Sequence, residues 1–431
     1  MSDAVLLGKL ALALISAAAA AFVVRRGLLD PLSDAAFSRA ATSALAGSRL
    51  ALYFAVLIVM GAPAQSDVLT YYSLARSSLE GLMPYRDFFN GYGPLFPTAV
   101  SVPVAIWDSP KSIIFLSLII EVASLPVWIA TGRKIFPEPT VRAATALYVL
   151  SPLAAISVAL SGQNHVWLSL ALAAALYFAV DRRDVMSGLV FGAGIVLAKF
   201  LSLLHAPVLV ALAHKRWQWI LGIACVPVLA YGYLFSQEVS ILAQLAYHGR
   251  DHSSGNLPYL LTLFGIDLKA ELPNRIYNIA GVLTIGAVIA AVYARYKRLS
   301  AEQSIYAVVL LLLTLMLMSR KAFTGYLVIG MFPLCLMIAA EARKQALAAF
   351  LAFSVVLALE SSLWFRWMKG HPFDILWRDA LPDGVSRGTV IAFLAVELVL
   401  IGFYFRYAVS AFRGVYERAE AANLESARGF A

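Results

Sequence analysis

Eleven apolar stretches dominate the chain, near 4–24, 50–64, 113–130, 141–160, 165–180, 217–235, 276–294, 304–318, 325–340, 346–362 and 390–407. Runs of this length match the hydrocarbon thickness of a bilayer. Inside hydrocarbon every backbone N–H and C=O must be satisfied within the protein, which leaves only helices or a closed barrel. Continuous apolar runs, rather than short alternating ones, belong to helices. The pattern therefore predicts an all-α, polytopic transmembrane helical bundle of about 11–13 helices, forming a single integral membrane domain. With 431 residues, 61% hydrophobic and 14% charged, no polar stretch is long enough for a separate soluble domain. The first run is too long for the core of a cleaved signal, and Arg25-Arg26 follow it rather than precede it, so it reads as a retained membrane helix. Residues 94–107 are short for a span, and 187–213 are long and carry Lys199, His205 and Pro207.

The net charge of +9 does not point to nucleic acid, because the cations cluster in short loops between apolar runs. Arg25-Arg26 with Arg39 and Arg49, Lys215-Arg216, Arg295-Lys297-Arg298 and Arg343-Lys344 mark cytoplasmic loops by the positive-inside rule. This orients the chain in a bacterial inner (plasma) membrane with 66–97 and 236–275 as outer loops and 408–431 as a cytoplasmic tail. Two crossing schemes remain open. If 94–107 spans and 187–213 crosses once, Arg133-Lys134 and Arg182-Arg183 lie outside; if 94–107 is re-entrant and 187–213 a helical pair, both lie inside, as the charge rule favours. Cys225 and Cys335 both sit in apolar runs, so neither a disulfide nor redox chemistry is expected.

The long polar interruption is 66–97, SDVLTYYSLARSSLEGLMPYRDFFNGYGPLFP. Ser66 reads as an N-cap and Gly81 as the residue that stops the helix begun there. Val68, Tyr71, Tyr72, Ala75 and Leu79 share one face of that amphipathic surface helix. Asp67 falls in its first turn, where the helix dipole favours an ionised carboxylate. It is either a general base or simply a cap. The second outer loop holds His248, Arg250, Asp251, His252 and Asn256, and later outer segments add Arg320, Lys321 and the Trp-rich 363–389. Cations on an outer face call for an anionic partner, either a lipid phosphate being processed or ordinary headgroups. Glu121, Lys199, His205, Glu360 and Glu397 lie within apolar runs, where an isolated charge is costly. Glu121 and Lys199 are deep enough to need partners, either each other or backbone groups. Gly192 and Gly194 read as helix packing. No phosphate loop or metalloprotease motif occurs at a usable position, and no internal repeat of the kind that builds many transporters is evident.

Asp67 followed by YYSLARSSLEGLMPYRDF and YGPLFP resembles the first outer loop of the GT-C membrane glycosyltransferases. The segment SGQNHVWLSLALAAALYFAVDRRDVMSGLVFGAGIVLAKFLSLLHAPVL is similar to the matching block of the polyprenol-phosphate mannosyltransferase-like proteins of glycosyltransferase family 87 and its neighbours. The resemblance implies inverting transfer of a sugar from a polyprenyl-phosphate donor to a lipid or glycan acceptor on the outer face. Asp67 matches the catalytic acid, Arg86 and Asp87 the polar pair after "P-Y", Gln163 the glutamine of "GQ" and Lys199 the lysine of the later element. Tyr85, Tyr92 and His248 are candidates to line the substrate site, and Arg250, Arg320 and Lys321 to hold the carrier phosphate among the membrane lipids. Ser66 and Val68 flank Asp67 where a second acid would stand, so no metal or other cofactor is expected, and a divalent ion lacks a carboxylate pair. Phe200 stands where the family often has proline. Readings of another class are a polysaccharide or lipid transporter that transfers no sugar, and a non-catalytic assembly subunit.

Overall fold

A computed structural model describes residues 3–29, 31–237, 239, 252–295, 298–341 and 343–428. Nine helices among the described residues are long and apolar enough to cross a membrane, and the pair Glu138–Val149 and Pro152–Leu160, bent by 42°, reaches that length only when taken together. No sheet forms among the described residues. The protein is an all-α polytopic bundle, as the apolar runs predict. Its contacts divide it into two compact units, one of residues 22–248 and one of residues 1–21 with 249–431; α1 (Asp3–Arg26) begins in the latter and ends in the former.

The unit of residues 22–248 contains α2 (Asp34–Val59), α3 (Val68–Leu79), α4 (Phe96–Ile106), α5 (Pro110–Arg133), α6 (Glu138–Val149), α7 (Pro152–Leu160), α8 (His165–Val180), α9 (Asp184–Leu197), α10 (Ala206–Leu212) and α11 (Arg216–Ser236). The second span starts at Asp34 rather than near 50. Ser33 caps it by accepting from the Ala36 N–H at 3.4 Å. One stripe of α2 is buried: Phe37, Ala41, Leu45, Arg49 and Tyr53, spaced four apart. Arg49 is thus not a loop cation. Its guanidinium meets the Glu121 carboxylate of α5 at 3.2–3.3 Å, with both side chains inside the protein. Glu121 therefore pairs with Arg49 and not with Lys199.

The contacts at one end of this unit favour the scheme in which 94–107 is re-entrant and 187–213 a helical pair. Arg142 donates to the Leu29 carbonyl at 2.6 Å and to Asp34 at 2.8 Å. Arg133 bonds Glu138, the Ser38 hydroxyl and the Asp34 carbonyl. Lys134 meets Asp181 at 2.6 Å, and the Asp184 carboxylate accepts from the backbone of His214 and Lys215. The basic segments at 133–142, 182–183 and 215–216 therefore share the end that carries the turn after Arg25-Arg26. α5, with 24 residues, carries the chain about 36 Å from that end to Pro110. There Asp108 accepts from Tyr72 and Arg76 of α3, each at 2.6 Å, so α4 leaves and rejoins the neighbourhood of α3 without crossing. The 187–213 stretch is a helical pair, broken at Ala198-Lys199, where the backbone leaves the helix and Lys199 is extended. Packing glycines do their expected work: a Cβ at Gly192 would meet the Ile223 carbonyl of α11 at 2.6 Å, and one at Gly194 the Ala171 Cβ of α8 at 2.5 Å.

The other unit contains α12 (Leu257–Leu261), α13 (Glu271–Arg295), α14 (Ala301–Met318), α15 (Thr324–Glu341), α16 (Lys344–Met368) and α17 (Arg387–Arg428). α14 starts with a capping box: Ser300 accepts from the Gln303 N–H at 3.1 Å, and Gln303 from the Ser300 N–H at 2.8 Å. α17 does not give way to a tail at 408. Ala411 and Val415 are buried, the Gln303 amide donates to the Val415 carbonyl at 2.8 Å, and Tyr416 to the Ala291 carbonyl at 3.1 Å. Its Gly414 lets the ring of Tyr306 from α14 lie where a Cβ would be.

Candidate functional site

The site is built where α3, the 83–95 loop, the start of α8 and the break after α9 come together. α3 is amphipathic as its spacing predicts, burying Val68, Tyr71, Leu74 and Ala75, while Tyr72 is half-buried and Leu79 exposed. Gly81, at φ 79°, ends it: the Gly81 N–H bonds Ser78 and the Leu82 N–H bonds Ser77, a Schellman closure that favours glycine. The helix start differs from the sequence reading. Ser66 is not the N-cap; Asp67 is, with helical backbone and no capping hydrogen bond from its carboxylate. The Asp67 side chain is half-buried and makes no hydrogen bond or ion pair among the described residues. The simple capping role is therefore excluded by the geometry. Ser66 holds a left-handed φ of 68°, and its hydroxyl accepts from Gln163 Nε2 at 3.1 Å. A non-glycine residue in that region is strained, a cost concentrated at functional sites.

The 83–95 loop is fixed from within and from α9. Buried Asn90 accepts from the Tyr92 N–H at 3.1 Å and donates to the Gly93 carbonyl at 3.2 Å. The Gly93 and Leu95 N–H groups then donate to the carbonyls of Ala198 and Val196, at 2.8 and 3.1 Å, satisfying the broken end of α9. Gly93 lies so close to Val196 that a side chain would not fit. The result is that the Tyr92 ring lies beneath Lys199, whose ammonium is 4.8 Å from the ring centroid. Tyr92 in turn meets Tyr71 edge-on at 5.0 Å, one turn along α3 from Asp67. On the other side, the Gly162 backbone packs against Val68 and Ile114. Asp67, Tyr92, Gln163 and Lys199 thus converge. They come from two stretches that the sequence marks separately.

Tyr85, at φ 69°, donates its hydroxyl to the Tyr92 carbonyl, and burial pushes that hydroxyl well above the ordinary tyrosine range. It supports the loop. Arg86 and Asp87 pair with each other at 2.8 and 2.9 Å on the surface, and the Met83 N–H adds a third bond to Asp87 at 2.7 Å. Arg86 first, then that N–H, holds the Asp87 carboxyl down at about 2. Their charges neutralise each other. Asp108, held below the carboxylate range chiefly by Tyr72 and then by Arg76, ties the outer face of α3.

Two residues escaped the sequence reading. Asn164 is 1% exposed and neither polar atom of its side-chain amide has a hydrogen-bond partner among the described residues; His165 is equally buried. Both directly follow Gln163 at the head of an apolar run, a position where polar residues signal a boundary as readily as a site. His248 and Arg250 lie outside the described residues. Arg320 and Lys321 belong to the unit of residues 249–431. Arg320 is buried there, donates to the Leu268 carbonyl, and accepts through its own carbonyl from Ser253 at 2.8 Å. In the same unit, Ser254 donates to Glu360 and the Gly255 N–H to Glu397 at 2.7 Å, and the Glu360 carboxyl carbon lies 3.7 Å from where a Gly255 Cβ would stand. Among the described residues no three His, Cys, Asp or Glu side chains gather as a metal site would require.

Fold and site together define a multi-pass membrane protein with a polar site at one end of its N-terminal unit. Comparison with family models, with curated proteins and with solved structures finds no match.

Proposed function

We propose that the chain is a membrane glycosyltransferase. It moves a sugar from a polyprenyl-phosphate donor to a lipid or glycan acceptor on the outer face of a bacterial inner membrane, with inversion. The observation that carries this reading is the Asp67 carboxylate: half-buried, uncapped, without a hydrogen bond or ion pair among the described residues, and one turn from Tyr71, whose ring meets Tyr92 beneath Lys199. A carboxylate that neither caps nor pairs is available to take a proton. The outward orientation is supported by the basic segments collecting at the opposite end of α5.

In the proposed step the acceptor hydroxyl oxygen attacks the anomeric carbon while Asp67 takes its proton. The bond from that carbon to the phosphate oxygen breaks, and the electron pair leaves on the lipid phosphate. The leaving group is already a stable anion, so it needs a cation rather than a general acid. Lys199 is a cation of this unit that stands at the site. Gln163 holds Ser66, and with it the entry to α3, in position. The test is incubation of purified protein in liposomes with a panel of labelled polyprenyl-phosphate sugars. Transfer of label with at least one donor is expected, and its absence across the panel, with acceptor lipids present, would count against the reading.

A further inference from the structure

A second site lies at the far end of the C-terminal unit, away from the 252–256 loop. The N-terminus of α16 and one face of α17 enclose a pocket of about 340 Å³. Arg343, Arg406 and Arg413 line it, with Ser410, Phe405 and, among the described residues, a single acid, Glu341. Arg406 and Arg413 are seven residues apart on α17 and so share a face. Arg343 is the N-cap of α16, where no side chain caps the helix, so uncapped N–H groups of its first turn, at Gln345 and Ala346, belong to residues that line the pocket. None of the three arginines makes an ion pair or side-chain hydrogen bond among the described residues.

Three guanidinium groups around one concavity repel each other, and one carboxylate neutralises only one of them. Planar guanidinium groups match phosphoryl oxygens in pairs, and a helix N-terminus adds a second, independent preference for anions. Phe405, 64% exposed, supplies an apolar wall beside them. Arg343 precedes Glu360 along α16 and Arg413 follows Glu397 along α17, each by about 24 Å of helix or more, which places the pocket at the span ends rather than in mid-membrane. We infer that this pocket binds a phosphoryl group at the membrane surface, carried by an anionic lipid headgroup or by a free phosphate.

Native mass spectrometry of the full-length protein, titrated with phosphatidic acid or phosphatidylglycerol against phosphatidylcholine, tests this directly. Selective retention of the anionic lipid is expected in the wild type. Arg343→Gln, Arg406→Gln and Arg413→Gln should each weaken it by about tenfold, the scale of a charge-assisted hydrogen bond. Arg406→Lys should restore only part of the selectivity. The double change Arg25→Gln with Arg26→Gln, which removes an exposed basic pair elsewhere, should leave it unchanged. Melting in phosphatidylcholine should be unaltered in every variant that is interpreted. Inorganic phosphate supplies the second arm: displacement of the lipid by millimolar phosphate identifies a soluble phosphoryl ligand, and resistance to it a lipid headgroup. Wild-type selectivity in the triple Gln variant, or an equal loss on changing Arg25 and Arg26, would overturn the inference.

Discussion

Gln163 donates from Nε2 to the hydroxyl oxygen of Ser66 at 3.1 Å, joining positions 97 apart in the chain. The bond is one neutral pair at the surface and contributes about 1 kcal/mol to stability. Its larger effect is to hold Ser66 in the left-handed region from which α3 and Asp67 begin. Gln163→Ala should therefore lower sugar transfer by about tenfold or more through kcat, the scale of a misplaced catalytic group. Thermal melting should move by only a few degrees. A large drop in melting temperature with transfer intact would mean that the bond is structural alone.

The second prediction concerns topology. Because Arg133, Lys134 and Asp181 share the end that holds Asp34, cysteines at Ser77 and Arg182 should label from opposite faces of the membrane. Labelling from the same face would restore the scheme in which 94–107 spans and 187–213 crosses once.

The fold class and most span positions are legible in the sequence because the bilayer enforces them. The start of α2 is not legible: its first half buries only a narrow stripe, and Arg49 resembles a loop cation until Glu121 is seen opposite it. The gathering of Asp67, Gln163 and Lys199 follows from motif order, yet its cause does not. Gly93 and Leu95 satisfy the carbonyls at the end of α9, a backbone match that no side-chain pattern announces. Asp67 was open to two readings because a first-turn acid usually caps, and only the backbone angles of Ser66 and Asp67 exclude that. Asn164 and His165 escape the sequence reading because polar residues at the head of an apolar helix mark its boundary as readily as a site.

The Arg49–Glu121 pair yields a third prediction. Both side chains are buried, so removing one partner leaves an uncompensated charge. Glu121→Ala should cost about 3–5 kcal/mol, whereas Arg49→Met with Glu121→Leu should recover most of it. Melting curves of the single and double variants in one lipid decide between this and a pair that contributes nothing.

The fourth concerns Glu360 and Glu397, whose carboxyls both meet the Ser254-Gly255 turn. Two carboxyls held at one turn repel when both are ionised. Glu397→Gln keeps an acceptor for the Gly255 N–H and adds a donor toward Glu360, so it should melt at or above the wild type. Glu397→Ala leaves that N–H buried without its acceptor and should cost about 1–3 kcal/mol. A strongly destabilised Glu397→Gln would show that the second negative charge is needed.

The most direct measurement of the proposed chemistry is turnover of Asp67→Asn beside the wild type in liposomes, with whichever polyprenyl-phosphate sugar the wild type accepts. Asn preserves size and removes the base; since the Asp67 side chain caps nothing, melting should not change. Transfer should fall by about 10²–10⁴-fold, the usual share of general base catalysis. Near-normal turnover by Asp67→Asn would contradict the assignment of Asp67 as the base.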